Sequence, residues 1–313
     1  MAGMIERHPS NDPLVPTPVS AEVIKTLPHA SAALTLCRKV PMSTQTNRQP
    51  VLSVLPEAYW VAGDTGLKET SKQEWENLEL VAEELAVIIP VPEAYFDDSQ
   101  VPIWSEVRPM ITQAFGAKLD QAVLFGTGKP ASWTSTALIP GAVSVGNDVD
   151  QTADLGQDIA SMGQLLSQQG FSLNSFASEP GFNWQLIAAR SAQGNPIYGN
   201  GNVALGQPDT IYGRSVFETM NGGWKVSDGY PLLGGDFSKA IVGLRSDISF
   251  KVFTEGVITD TDGAVVLNLM QQDSVALRVV MRCAYAVANP VTALESDKAS
   301  RFPFAVLNAA SGS

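Results

Sequence analysis

Hydrophobic positions recur at every second residue near the end of the chain. Val275, Leu277, Val279, Met281, Cys283, Tyr285 and Val287 form one file, alternating with Ala276, Arg278, Val280, Arg282, Ala284 and Ala286. Side chains of a strand point alternately to its two faces, so a period of two predicts a long strand with one continuous apolar face. Ile248, Phe250 and Val252 alternate with Ser249, Lys251 and Phe253 and predict a second strand before an Asp262-Gly263 turn. Elsewhere the period is three to four. Trp104, Val107, Ile111, Phe115, Leu119 and Ala122 predict a helix over 99–125, with Ser99 as cap, Pro102 in its first turn and Gly126 as its stop. Pro109 lies inside this helix, where a missing N–H and a ring clash predict a bend or break near Val107–Pro109. Leu155, Ile159, Met162 and Leu166 predict a second helix over 152–169, stopped by Gly170.

The remaining segments are read more coarsely. Residues 1–30 carry Pro9, Pro13, Pro16, Pro18 and Pro28, which leave room for a short helical stretch only at Ser20–Leu27. This is an extended arm. Strand-like Val51–Leu55 and Ala58–Ala62 lead to a polar tip at 63–73, and the chain returns through 78–82 and 85–90. That order predicts a long hairpin with a hydrophilic end. Gly126–Pro130 opens a Ser/Thr/Ala loop, Phe171–Phe176 reads as a short strand, and Pro180–Ser191 reads as a third helix. Residues 194–235 hold the turn dipeptides Asn200-Gly201, Asn221-Gly222 and Asp228-Gly229, and predict loops with short strands.

Composition narrows the chemistry. The 313 residues allow two domains or one elaborated one. Hydrophobic residues at 44% and charged residues at 17% describe a folded chain. A formal charge of −12 is the wrong sign for binding nucleic acid by phosphate neutralisation. Cys37 and Cys283 are far apart and make neither a disulfide framework nor a zinc spacing. Both histidines, His8 and His29, precede the body of the chain, which argues against a Ser-His-Asp triad or an HExxH site. No apolar run is long enough to span a bilayer and no signal peptide is visible. No catalytic residue, cofactor or metal site is expected.

Candidate motifs mostly dissolve on inspection. Gly126-Thr127-Gly128-Lys129 lacks the glycine and the hydroxyl of a phosphate loop, having Val123 and Pro130 at those positions, and it follows a helix where a strand is required. Gly199–Ala204 has no apolar strand before it and no long helix after it. Glu83-Glu84 and Asp97-Asp98 are adjacent pairs, which point opposite ways on a strand and so make no shared-proton site. Trp60 and Trp75 flank the hairpin tip that carries Lys68 and Lys72. Aromatic side chains on an excursion mark a contact surface, and these four residues are the candidate inter-subunit contacts.

The order of elements resembles the major capsid proteins of tailed bacteriophages, the Hong Kong 97 fold family. The resemblance is carried by Val91-Pro92-Glu93, Val101-Pro102-Ile103-Trp104 and Leu119–Gly128, then by Phe182–Leu186, Gly194–Gly199 and Gly243-Leu244-Arg245 before the β-rich end. It covers roughly residues 30–305. It implies an α+β fold with an N-terminal arm (1–35), an extended E-loop hairpin (53–85), a peripheral domain with a long spine helix (36–52, 86–135 and 246–286) and an axial domain (136–245 and 287–313). It implies self-assembly as hexamers and pentamers into an icosahedral head around double-stranded DNA. The location is the virion, assembled in the host cytoplasm. The implied partners are further copies of the chain, a separate scaffolding protein, a portal and a cement protein. DNA would be enclosed without sequence-specific binding, and no membrane is involved. The first 30 residues leave no room for a scaffolding segment.

Some members of this family lock their shells with an isopeptide bond between an E-loop lysine and a neighbour's asparagine, helped by a glutamate. Lys68 resembles the lysine, but Asp273 and Val280 stand at the asparagine and glutamate positions. The expectation is therefore a shell without autocatalytic crosslinks. Pro109 in the spine helix is expected to supply a bend. Two other readings stay open: an encapsulin-type nanocompartment shell enclosing cargo enzymes, which the proline-rich arm disfavours, and an α+β enzyme that works through carboxylates alone.

Overall fold

The computed structural model describes residues 29–56, 70–94, 103–189, 210–260 and 262–310. The arm ahead of residue 29, the hairpin tip with Trp60 and Lys68, the Ser99 cap with Pro102, Asp97-Asp98 and the Gly199–Ala204 motif lie outside the described residues.

The described part of the chain opens with a one-turn helix α1 (Ala32–Leu36) and strand β1 (Arg38–Pro41). Strands β2 (Thr46–Val54) and β3 (Glu74–Val81) pair with each other, and β4 (Glu83–Pro92) follows directly. The spine helix α2 (Ile103–Asp120) runs unbroken through Pro109, so the expected break is absent. A proline costs a helix one hydrogen bond, but flanking turns and packing keep the rod intact. The last expected turn is a wider coil, Gln121–Phe125, ended by Gly126 in the left-handed region at φ 77°. This wide turn lets Ala122, Val123 and Leu124 all be buried, which a strict 3.6-residue period would not.

Two sheets carry the body. The first has the order β1-β10-β13-β4, with β10 (Ala240–Phe253) and β13 (Ser274–Val287) as its long central pair. Both predicted strands are there, β10 beginning well before Ile248. The odd-numbered file of β13 is buried throughout, against Ile111, Phe115 and Leu119 of α2. Between these strands lies a ribbon of β11 (Val257–Thr259) and β12 (Val265–Asn268), with the predicted turn at its tip.

The second sheet has the order β5-β14-β9-β6-β8-β7. Its strands are β5 (Asp148–Asp150), β6 (Ser175–Ser178), β7 (Thr210–Ile211), β8 (Arg214–Glu218), β9 (Leu232–Gly235) and β14 (Phe304–Asn308). Helices α3 (Leu138–Ser144), α4 (Leu155–Gln168) and α5 (Phe182–Ala188) flank it. The second predicted helix is α4, capped by Asp154. The third is shorter than expected, and the short strand falls at Ser175–Ser178, later than expected. Helix α3 falls just past the residues read as a loop.

Strand β14 shows how one core serves both sheets. Phe304 and Val306 point into the core shared with α2, α3 and β13, while Ala305 and Leu307 point to α4 and Phe171. The same division separates Leu233 from Leu232 and Ala177 from Phe176. Gly235 pairs with both Phe304 and Ser175, and a Cβ there would lie 2.5 Å from the Pro303 carbonyl oxygen. Only glycine lets these backbones meet.

One buried carboxylate ties the parts together. Asp120, at the end of α2, accepts from Ser31 Oγ (2.6 Å) and the Ala33 amide (2.8 Å) through Oδ1. Through Oδ2 it accepts from the Ala32 amide (3.0 Å) and Asn221 Nδ2 (2.6 Å). It thus holds the N-terminus of α1 and the 219–223 turn against the spine helix. Burial raises its pKa above the ordinary carboxylate value, although all four hydrogen bonds work the other way. The folded state therefore holds this proton more tightly than the unfolded chain does. Its contribution to stability is fully present below the ordinary value and is lost as pH rises through the raised one.

Asp120→Asn keeps the shape but turns one acceptor into a donor that faces two donors. Urea unfolding of the unassembled subunit at pH 7 is expected to show a loss of about 2 kcal/mol or more. The pH dependence owed to this group should vanish in the same variant. Gly235→Ala is expected to cost about 1–3 kcal/mol in the same assay, because the opposing backbone has nowhere to retreat.

Candidate assembly surfaces

The β2–β3 hairpin is fixed at its root and open beyond it. Leu80 and Ala82 pack on Met42, Ile241, Ala284 and Ala286, on the even-numbered side of β13. Trp133 Nε1 donates to the Val81 carbonyl (3.0 Å), and the Val291 amide donates to the Leu52 carbonyl (3.0 Å). Lys298 meets Glu76 at 2.6 Å. Lys298 belongs to a loop closed by Arg301, a buried guanidinium that donates to the carbonyls of Pro290 (3.0 Å) and Ser296 (2.5 Å).

Alternation along β3 sends Leu78 and Leu80 inward and Trp75, Asn77 and Glu79 outward. Trp75 is 61% exposed and sits across from Leu52. Lys72 is exposed just ahead of β3. Of the four residues expected to contact a neighbour, the structure therefore places Lys72 and Trp75 close together on one outlying hairpin. Pro109 lies in the spine helix, away from it.

Two further apolar surfaces were not singled out from the sequence. On α5, Trp184 is 71% exposed and Ile187 is exposed beside it. On the ribbon, Val257, Val265, Val266 and Met270 are exposed. Their signal in the sequence was faint, because isolated apolar residues in turn-rich segments read as loop filling. Contiguous exposed apolar surface on a folded chain marks a contact site.

Among the described residues, no group of three or more His, Cys, Asp or Glu side chains is placed to hold a metal. A cavity of about 210 Å³ beside Leu119, Trp133 and Cys283 is mostly apolar. Burial pushes the Cys37 thiol up to about 12, with Asp120 adding to the effect, and the Cys283 thiol up to about 11. Neither is a nucleophile at neutral pH. Lys129, in the rejected phosphate-loop motif, donates to the Ser135 carbonyl (2.7 Å), and Gly126 and Gly128 both take positive φ. The motif is a helix stop followed by a turn. No described helix is long and apolar enough to cross a membrane.

The model of the phage capsid family matches residues 11–294. The chain belongs to the phage capsid family. It is 28% identical over 283 residues to the major capsid protein of Staphylococcus phage 80alpha, covering 87% of this chain and 80% of that one. Among solved structures, a chain from Microbacterium phage Oxtober96 is 38% identical with a TM-score of 0.84, covering 95% of this chain and 96% of that one. A chain from Mycobacterium phage Cain is 32% identical with a TM-score of 0.85, covering 96% and 97%. The fold is of the Hong Kong 97 type, as the resemblance implied.

Incubation of the folded subunit with iodoacetamide at pH 8 should leave Cys37 and Cys283 unmodified by mass spectrometry. At that pH less than about one thiol in a thousand is ionised. Both cysteines should react fully in urea.

Proposed function

We propose that this chain is the major capsid protein of a tailed phage, assembling as hexamers and pentamers into an icosahedral head that encloses a double-stranded DNA genome. The observation that carries the reading is the β2–β3 hairpin. Its outward face presents Trp75 to solvent, while its root is held rigidly by hydrogen bonds and packing. A rigid, aromatic-bearing projection that its own subunit cannot cover is built for a second copy. Kinship with phage chains at 38% and 32% identity favours a genome-filled head over a cargo-filled compartment. The charge of −12 suits a container that must not adhere to what it holds.

The first sheet with α2 corresponds to a peripheral domain and the second sheet with its helices to an axial domain. The start of β10 at Ala240 supports a boundary between them at about 240, a little before the expected 246. Residues 53–85 serve as the E-loop and residues 1–35 as an arm. Scaffolding, portal and cement proteins would be separate chains, and the protein works as a structural component with no catalysis. Pro109 allows the spine helix different curvature before and after shell expansion; identical curvature in structures of the two states would refute this.

The shell is held without autocatalytic crosslinks. Asp273, in the turn before β13, is a poor acceptor for a lysine amine, and Val280, in mid-strand opposite Ala86, cannot act as a base. Intact heads should give a single monomer band on a denaturing gel, and a ladder of multimers would refute the point. Trp75→Asp tests the assembly surface itself. The variant should melt within about 0.5 kcal/mol of the parent, since the side chain is solvent-exposed. Negative-stain electron microscopy should show closed shells for the parent, co-expressed with scaffold if required, and none for the variant.

A further inference from the structure

The side of the first sheet that faces away from α2 holds a shallow groove of about 590 Å³. Arg245, Lys251, Arg278 and Arg282 line it, with Glu84 as the one acidic side chain among the described residues. Glu84 is already engaged, at 2.7 Å from Arg282. Among the described residues, Arg245, Lys251 and Arg278 have no carboxylate within ion-pair distance. Four cations on one face are a marked concentration in a chain of net charge −12.

The arrangement works against the sheet that carries it. Lys251 and Arg278 are direct cross-strand partners. Like charges in that position destabilise a pair of strands. Their stacking on the Phe253 ring, at 5.0 Å and 4.8 Å, offsets part of the repulsion. The groove is thus poised for an anionic occupant that would relieve it.

The same two strands lead into a segment of opposite character. They leave the sheet at Phe253 and Ser274 and enclose residues 254–273, which contain Glu255, Asp260, Asp262 and Asp273 and no lysine, arginine or histidine. The exposed Val257, Val265 and Val266 flank these charges. The groove offers matching apolar surface in Val280 and, beside it, the half-exposed Ile88.

We propose that the cationic groove of one subunit docks the acidic β11–β12 ribbon of a second copy of this chain. The proposal rests on the shell reading above. Groove and ribbon differ in charge and shape, so a head-to-tail contact between them leaves each copy a free ribbon or groove for the next, as closure around a symmetry axis requires. The hairpin is a weaker candidate, because two of the three carboxylates of β3, Glu76 and Glu79, are already paired with Lys298 and Arg48, which leaves Glu74 alone. Nucleic acid is also weaker, since four cations on an acidic protein neutralise few phosphates.

Lys251→Glu is the test. It replaces a like-charge cross-strand pair with an unlike one, so the subunit should melt at the same temperature or higher. Shell yield at physiological salt, read by sedimentation and negative stain, should nevertheless fall by about tenfold or more. Asp262→Lys, in an exposed turn, should fail in the same way, and the double variant Lys251→Glu/Asp262→Lys should recover most of the yield. Normal shell yield from Lys251→Glu would overturn the contact. So would two folded, assembly-deficient single variants whose combination stays deficient. Binding of a double-stranded oligonucleotide that Lys251→Glu abolishes would reassign the groove to nucleic acid. A parent protein that forms no shells with or without scaffold would remove the shell reading, and this contact with it.

Discussion

The seam between the spine helix and the odd-numbered side chains of β13 holds the subunit in register. A strand that buries one face fixes its neighbours, because a slip of one residue would turn every apolar side chain outward. Ile111, Phe115 and Leu119 occupy that face, so β10 and β4 inherit their positions from it, and β1 and the hairpin root inherit theirs in turn. The core then passes without a break through Trp224, Phe237 and Tyr285 to one face of the second sheet. The two sheets therefore share a core and are not two bodies on a linker. A shell subunit that must transmit load between neighbours gains from such continuity, since close-packed interiors deform little.

Buried polar groups add direction to that apolar seam. Asp120 gathers donors from α1 and the 219–223 turn, and Asn147 donates to the Phe302 and Phe304 carbonyls at the entry to β14. Each joins segments distant in sequence, and each is satisfied by several partners. Hydrophobic packing alone would accept several orientations of these segments; a fully partnered polar cluster accepts one. The expense is that any single replacement leaves donors stranded in the interior.

The sequence was legible where one face of an element was buried and the other was not. The period of three to four in α4 arises from that asymmetry, and so does the period of two in the middle of β13, where Arg278, Val280 and Arg282 stay open; near its ends small alanines on the even-numbered side preserve the pattern although they are buried too. Helix α3 was hidden because Pro140 and Gly141 interrupt its pattern, although Leu138, Ile139 and Ala142 are buried. Strand β14 was hidden for the opposite reason, since a strand buried on both faces loses its alternation. Asp120 gave no signal because Ser31 and Asn221 lie 89 and 101 residues away from it in the chain. Of the exposed side chains, Lys72 and Trp75 could be named from their place on a polar excursion. The exposed Trp184 and the ribbon valines could not, since exposure is decided by what the rest of the fold fails to cover.

What the fold leaves uncovered is itself ordered. The hairpin, α5 and the ribbon each expose apolar side chains, while the groove exposes like charges at close quarters. Both features cost the isolated subunit, the first in hydration and the second in repulsion. Neither is large enough to unfold it, because the shared core lies elsewhere. A shell built from many copies needs contacts that are each weak enough to dissociate when misplaced and strong only in sum. Several small patches meet that need better than one large one, since an error at one patch leaves the others unsatisfied. Charge complementarity adds register, because a displaced ribbon would meet no cations and would bring its carboxylates against a surface that is acidic overall.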